Sequence, residues 1–321
     1  MKVLLTGITG NLGYEVSLDL AQRGIDIIPC VRSDKKEVLL SHPVKFKQVV
    51  ECDLVEDEHI YLEGKIDCIV HCAGVVKFRE AKDKNEQMMR KVTRLAKSLN
   101  VPVYAVSTAF IYKPLGTHDE FNNDYEKDKF KAEQVLISSG VPHTIIRPSV
   151  LTGNSLTGEI QNFSGYYLIV QAFLSAIYSA KKEKRVIRFP RMSGKSNMIP
   201  VDQAAKYIGK IVQEGKLGEI IYVVNPLPPS AEWVMNETLN FYEVSSMVNF
   251  LNISFQEFGK LNLTEEETKL YRFAVHFNPY WSMKYEFPTS VCESNLVDSN
   301  YLKRILTFFN TKHFTHEQKT N

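Results

Sequence analysis

The chain has 321 residues, 44% hydrophobic and 24% charged, with a formal net charge of +2. That is enough apolar material for a large core, in one big domain or two lobes. So small a net charge excludes a surface built as a whole to attract nucleic acid. The first element is a short apolar run at residues 2–6, which reads as a strand. Gly7-Ile8-Thr9-Gly10-Asn11-Leu12-Gly13 follows at once, and residues 12–23 then carry Val16, Leu20 and Ala21 on one helical face. Strand, glycine loop and helix in that order are the context for dinucleotide binding. Gly7 would allow the tight turn, Gly10 the approach of a pyrophosphate, and Gly13 the packing of helix on sheet. The helix N-terminus would face the phosphates with its partial positive charge.

Further strands are predicted at 25–31, 45–51, 66–72, 101–107 and 143–147, with helices at 80–99 and 124–139. The alternation implies an α/β fold, a doubly wound parallel sheet with helices on both faces. Ligands in such sheets lie at the carboxyl ends of the strands. The second strand ends in Arg32-Ser33, which suits the 2′-phosphate of NADP(H) better than the ribose hydroxyls of NAD(H). Asp53-Leu54 follow the third strand, and Asp53 either meets an adenine amino group or caps a turn. The fourth strand ends His71-Cys72-Ala73-Gly74, where small residues let the backbone run close to a cofactor. Ser107-Thr108 end the fifth strand. Downstream, Tyr125 and Lys129 stand four residues apart on one helix face. An ammonium beside a phenol favours the phenolate, which predicts a Tyr125 pKa below the usual ~10 and a usable proton donor or acceptor.

Four of the five cysteines, Cys30, Cys52, Cys68 and Cys72, fall in or at the end of strands, and the fifth is Cys292. They read as buried thiols in a reducing, cytoplasmic compartment. Cys68, His71 and Cys72 lack a second ligand cluster, so no metal is expected. No signal peptide precedes the first strand, which leaves the glycosylation-type triplets at Asn162, Asn236, Asn252 and Asn262 without meaning. Residues 160–180 carry no charge, but their polar residues argue for a buried or pocket-lining helix over a membrane span.

Taken together these pieces resemble the extended short-chain dehydrogenase/reductases. The matching residues are Thr6 to Gly13, Asp53-Leu54, His71 to Gly74, Asn85, Val106 to Ala109, Tyr125-x-x-x-Lys129, Arg147-Pro148 and Ile199-Pro200-Val201-Asp202. The resemblance implies a general acid/base in Tyr125 and a hydroxyl partner in Thr108. Lys129 would also hold the nicotinamide ribose, and Asn85 would support the site. Cofactor contacts are implied at Thr6, Gly7, Thr9, Gly10, Asn11, Leu12, Gly13, Arg32, Ser33, Asp53, Leu54, Cys72, Ala73, Gly74, Tyr125, Lys129, Pro148 and Ser149. Met88-Met89 stand where the family usually has a Gly-Thr pair. The run from Arg147 to Ile160 resembles the thioester-reductase and fatty-acyl-reductase branch, with Asn154 in place of that branch's aspartate.

That branch implies an NADPH-dependent reductase of an acyl thioester, bound to coenzyme A or a carrier protein, or of the derived aldehyde or ketone. The protein would be a monomer or homodimer. The alternatives are an NAD-dependent sugar-nucleotide epimerase or dehydratase, and a non-catalytic scaffold or sensor. Residues 1–150 are expected to form the cofactor domain and 151–321 a smaller, mostly helical substrate region, with the cleft between lobes for substrate. Helix 202–214 is expected to pack back on the first domain. Helix 160–182 and strands 186–190 and 220–224 come next, then helical, aromatic-rich sequence from 231 and a frayed tail after Lys312. Lys181, Lys182, Lys184, Arg185, Arg188 and Arg191 form the densest basic stretch, a candidate docking site for an acidic carrier or coenzyme A.

Overall fold

The computed structural model describes residues 1–76, 81–114, 121–288, 292 and 297–317, with side chains to Lys312. It divides into two compact units. The first comprises 1–151, 199–224 and 287–293, and the second 152–198, 225–286 and 294–321.

In the first unit β1 (Lys2–Thr6), β2 (Asp26–Val31), β3 (Val50–Glu51), β4 (Cys68–His71), β5 (Val103–Val106) and β6 (His143–Pro148) join the strand Ile220–Val223. They form one seven-stranded sheet in the order β3-β2-β1-β4-β5-β6 followed by Ile220–Val223, parallel throughout. The sheet reverses its winding between β1 and β4, as in a doubly wound Rossmann fold. α1 (Asn11–Gln22) packs against helix Val201–Gln213, while α2 (Lys84–Leu99) packs against α3 (Asp124–Ser139). The strands are apolar because both faces of such a sheet are covered; Val3, Leu4, Leu5, Ile69 and Val70 are fully buried. Met88 and Met89 also enter this core. Phe287 lies against Tyr222 and Phe110 in this unit rather than in the second lobe.

The second unit is mostly helical. α4 (Tyr166–Lys182) packs on helix Glu265–Ala274, and helix Ala231–Phe241 packs on helix Ser299–Glu317. Tyr167, Phe173, Phe189, Phe258 and Phe309 are its largest fully buried side chains.

Several expectations change. The third strand shrinks to two residues, Val50–Glu51, on the sheet edge. Helix 160–182 begins only at Tyr166, after Gly165 with φ 54°. The region after 231 is not wholly helical, since Val248–Leu251 pairs in parallel with Ile187–Pro190. The last helix runs past Lys312 to Glu317, held by Tyr301, Leu302, Ile305, Leu306 and Phe309 on its buried face. The four residues after it lie outside the described residues, as do residue 80 of the second predicted helix and the middle of the Thr108–Tyr125 loop.

Candidate active site

At the end of β1, Thr6 Oγ1 lies 2.8 Å from His71 Nδ1 and accepts from the Ala73 N–H at 3.2 Å. These bonds tie the carboxyl ends of β1 and β4 together. Gly7 turns with φ +76°, and a Cβ there would sit 2.4 Å from Ala73 N. A Cβ on Gly13 would sit 2.1 Å from the Gly7 carbonyl oxygen. Backbone packing thus requires both glycines. Gly10 is different: a Cβ would meet only Gly7 O, at 3.3 Å, so glycine leaves open space before α1. No side chain caps α1. Open space at an uncapped helix start fits the pyrophosphate of a dinucleotide. Thr9 and Asn11 are half-buried beside it and Leu12 is buried.

The other strand ends line up as follows. Arg32 and Ser33 are exposed, with Arg32 Nε 3.4 Å from Asp34. Asp53 Oδ1 accepts from the backbone N–H groups of Val55 and Glu56 at 2.8 and 3.3 Å, so it caps a turn, and Leu54 is buried beneath it. Cys72 N–H donates to Thr6 O, and burial pushes the Cys72 thiol up to about 12. Pro148 ends β6. Ser149 follows, and its buried Oγ makes no hydrogen bond, like that of Ser107 at the end of β5.

Thr108, Tyr125 and Lys129 come together in the first unit. The Tyr125 phenol hydrogen-bonds the Thr108 side chain. Lys129 is buried, donates to Val106 O at 3.1 Å, and lies against Gly74, where a Cβ would be 2.8 Å from Nζ. α3 starts cleanly because the Asn123 side chain accepts from Glu126 N–H at its N-cap. A small internal cavity is lined by His71, Asn85, Ser107, Lys129 and Glu133 among others.

The electrostatics differ from the expectation for Tyr125. Burial pushes its phenol up to about 12, opposed by the Thr108 hydrogen bond and reinforced by the Glu126 charge. Lys129 itself falls to about 8, because burial outweighs the support of Asp128, Cys72 and Glu133. The phenol is therefore held as a proton donor.

The basic stretch is also not what its composition promises. Arg185 pairs with Glu266 at 3.0 Å, Arg188 with Glu267 at 2.7 Å and Arg191 with Glu232 at 3.5 Å. Glu267 is 1% exposed, so Arg188 straps its strand to helix Glu265–Ala274. Lys181, Lys182 and Lys184 are exposed, with Glu183 between them, and make no ion pair among the described residues. No group of three or more metal-type side chains gathers among the described residues.

Two site residues had no separate signal in the sequence. Asp128 accepts from Asn85 Nδ2 at 2.7 Å, and fully buried Glu126 accepts from Asn122 and Lys113. Both sit inside the Tyr125–Lys129 interval, where their charge reads as solvated helix surface until α3 is packed.

Residues 50–208 match the NAD-binding family model described as "Male sterility protein". That stretch of the chain is thus similar to the NAD-binding family of that description. The chain's fold is similar to that of the terminal R domain from the myxalamid PKS-NRPS biosynthetic pathway (22% identity, TM-score 0.71, covering 98% of this chain and 91% of that one). It is also similar to a thiolation-reductase di-domain from an archaeal non-ribosomal peptide synthetase (20%, TM-score 0.68, 98% and 76%). UDP-glucose 4-epimerase from Bifidobacterium longum, solved with NAD+ and UDP, shares the fold as well (15%, TM-score 0.63, 98% and 99%). Asn154 Oδ1 accepts from the N–H groups of Leu156 and Thr157 at 2.9 and 3.2 Å and so fixes the turn after it. No described helix is long and apolar enough to cross a membrane.

Proposed function

We propose that this protein is an NADPH-dependent reductase of an acyl thioester, or of the aldehyde that derives from it. The hydrogen-bonded Thr108–Tyr125 pair beside buried Lys129 carries the reading. The glycine turn and the uncapped start of α1 would hold the pyrophosphate, and Arg32 and Ser33 the 2′-phosphate. The nicotinamide, when bound, supplies the hydride. Thr108 and Tyr125 donate hydrogen bonds to the substrate carbonyl oxygen and so stabilise the negative charge that develops there. Reduction of an aldehyde ends with a proton from the Tyr125 hydroxyl. Reduction of a thioester releases the thiol as the carbon–sulfur bond breaks. The Lys129 ammonium favours charge on the phenol oxygen as the proton leaves.

Two features support a carrier-bound thioester: the run from Arg147 to Ile160, and the di-domain in which a reductase is joined to a thiolation domain. Four buried cysteines, Cys30, Cys52, Cys68 and Cys292, support a reducing, cytoplasmic setting. The test is NADPH consumption with acyl-CoA, acyl-carrier-protein and free aldehyde. Tyr125→Phe should lower turnover by roughly 10²–10⁴, the range of a lost general acid, with NADPH binding retained. A fully active Phe variant overturns the role.

The similarity to UDP-glucose 4-epimerase over nearly the whole of both chains favours a second reading, an epimerase that recycles tightly bound NAD. Mass spectrometry of nucleotide released from the purified protein separates the two. Retained NAD without net consumption favours the epimerase.

A further inference from the structure

α2 begins without a cap of its own. Its N-cap residue, Asp83, is in the left-handed region at φ 61°, and no side chain of that segment bonds the first amides. Those amides are nevertheless satisfied, from another helix. The Asp128 carboxylate, on α3, accepts from Asn85 N–H at 2.9 Å and Glu86 N–H at 3.1 Å, and from Asn85 Nδ2 at 2.7 Å. Three donors at a helix start suit a carboxylate, both by charge and by hydrogen bonding.

The same contact orients Asn85. With Nδ2 turned to Asp128 and also donating to Val75 O at 3.1 Å, Asn85 Oδ1 is left to accept from Val75 N–H at 2.9 Å. Asn85 therefore grips both sides of Val75. Next to Val75 is Gly74, which lies against the Lys129 ammonium and the Asn85 carbonyl oxygen. The contacts close a ring: Lys129, Gly74, Val75, Asn85, Asp128, and along α3 back to Lys129.

We infer that Asp128 is a positioning residue, which caps α2 across the helix pair and through Asn85 sets the 73–75 backbone against Lys129. It rests on the proposed reductase reading only for its effect on turnover; the clamp itself is a property of the fold. The groups facing Lys129 are Asp128 and Glu133 from α3 and His71 and Cys72 from the end of β4. Of these, Asp128 is both adjacent in sequence and part of the clamp.

The experiment compares wild type with Asp128→Asn, as full-length protein, by amide hydrogen exchange and by the pH dependence of NADPH consumption. An amide side chain cannot accept from all three donors. Exchange at Val75, Asn85 and Glu86 should therefore rise at least roughly tenfold, the factor for losing a hydrogen bond to a charged group, while amides of β1 and β2 stay as they were. Loss of the negative charge should also move the alkaline fall in activity to lower pH. Unchanged exchange at Val75 in a folded variant overturns the clamp. Fast exchange at Val75 in the wild type does so too, without any variant. Increased exchange in a protein that consumes no NADPH with any substrate leaves the clamp standing and removes the reductase reading instead.

Discussion

Glu133 and Arg147 meet in a two-point ion pair between α3 and β6. Arg147 Nε donates to Oε1 at 2.9 Å and Nη2 to Oε2 at 2.5 Å, and Nη1 reaches the Tyr222 hydroxyl at 2.6 Å. All of this is buried: Glu133 is 3% and Arg147 9% exposed. Removing one partner strands the other charge, so Glu133→Ala should cost about 3–5 kcal/mol in urea unfolding. Replacing both with apolar residues of similar volume should recover most of that loss. Equal losses for the single and double variants would contradict the stranded-charge argument.

Gly74 should not tolerate a side chain. A Cβ would come within 2.8 Å of Lys129 Nζ and 3.1 Å of Asn85 Oδ1. The lysine must then move, and a displacement near 1 Å at a reacting centre costs on the order of 10²-fold in turnover. Gly74→Ala should show that loss in steady-state kinetics, with a smaller effect on melting temperature. Wild-type turnover in this variant would mean that Lys129 has room to move without consequence.

Alkali should act through Lys129. Burial lowers its pKa from 10.5 to about 8. Neither His71, pushed down to about 3, nor Cys72, pushed up to about 12, changes charge near pH 8. Activity that depends on the ammonium should fall as pH rises through about 8. Stability should move the other way. Between pH 8 and 10.5 the unfolded chain holds a proton that the folded chain has released, so this group's contribution rises with pH, by about 3 kcal/mol in total. Below pH 8 the cost of the buried ammonium is fully present. The buried thiols of Cys68 and Cys72, raised from 9.0 to about 12, oppose this from about pH 9, and the buried tyrosines, Tyr125 among them, from about pH 10. Urea midpoints at pH 7.5 and 9.5 for wild type and Lys129→Met check the sign, since the thiols are common to both and the wild type should gain stability relative to the variant between the two pH values.

Arg32 should choose the cofactor. It is exposed at the end of β2, with Asp34 3.4 Å away as its ion-pair partner among the described residues. Arg32→Ala should weaken NADPH binding by roughly tenfold or more, as expected for one charge-assisted contact to phosphate, and leave NADH binding nearly unchanged. Equal affinity of the wild type for both dinucleotides would remove the 2′-phosphate argument.

Much of the first unit was determined by the sequence alone. Strands 2–6, 25–31 and 143–147 and helix 124–139 are legible because each is a local matter: a run of apolar residues, a helical stripe, an N-cap asparagine at Asn123. Gly7 and Gly13 are legible for the same reason, because a tight turn between strand and helix leaves no room for a Cβ. The tertiary structure decided what depends on partners distant in the chain. Asp128, Glu126 and Glu133 read as charges on a surface helix, and only the packing of α3 on α2 and the sheet makes them buried acceptors. Arg185 and Arg188 read as open positive charge until Glu266 and Glu267, some eighty residues on, close upon them. The pKa of Tyr125 followed the same rule. Helix spacing places a lysine four residues away, but the phenol responds to desolvation and to the hydroxyl that reaches it. Both are set by the fold around the side chain rather than by its neighbours in sequence.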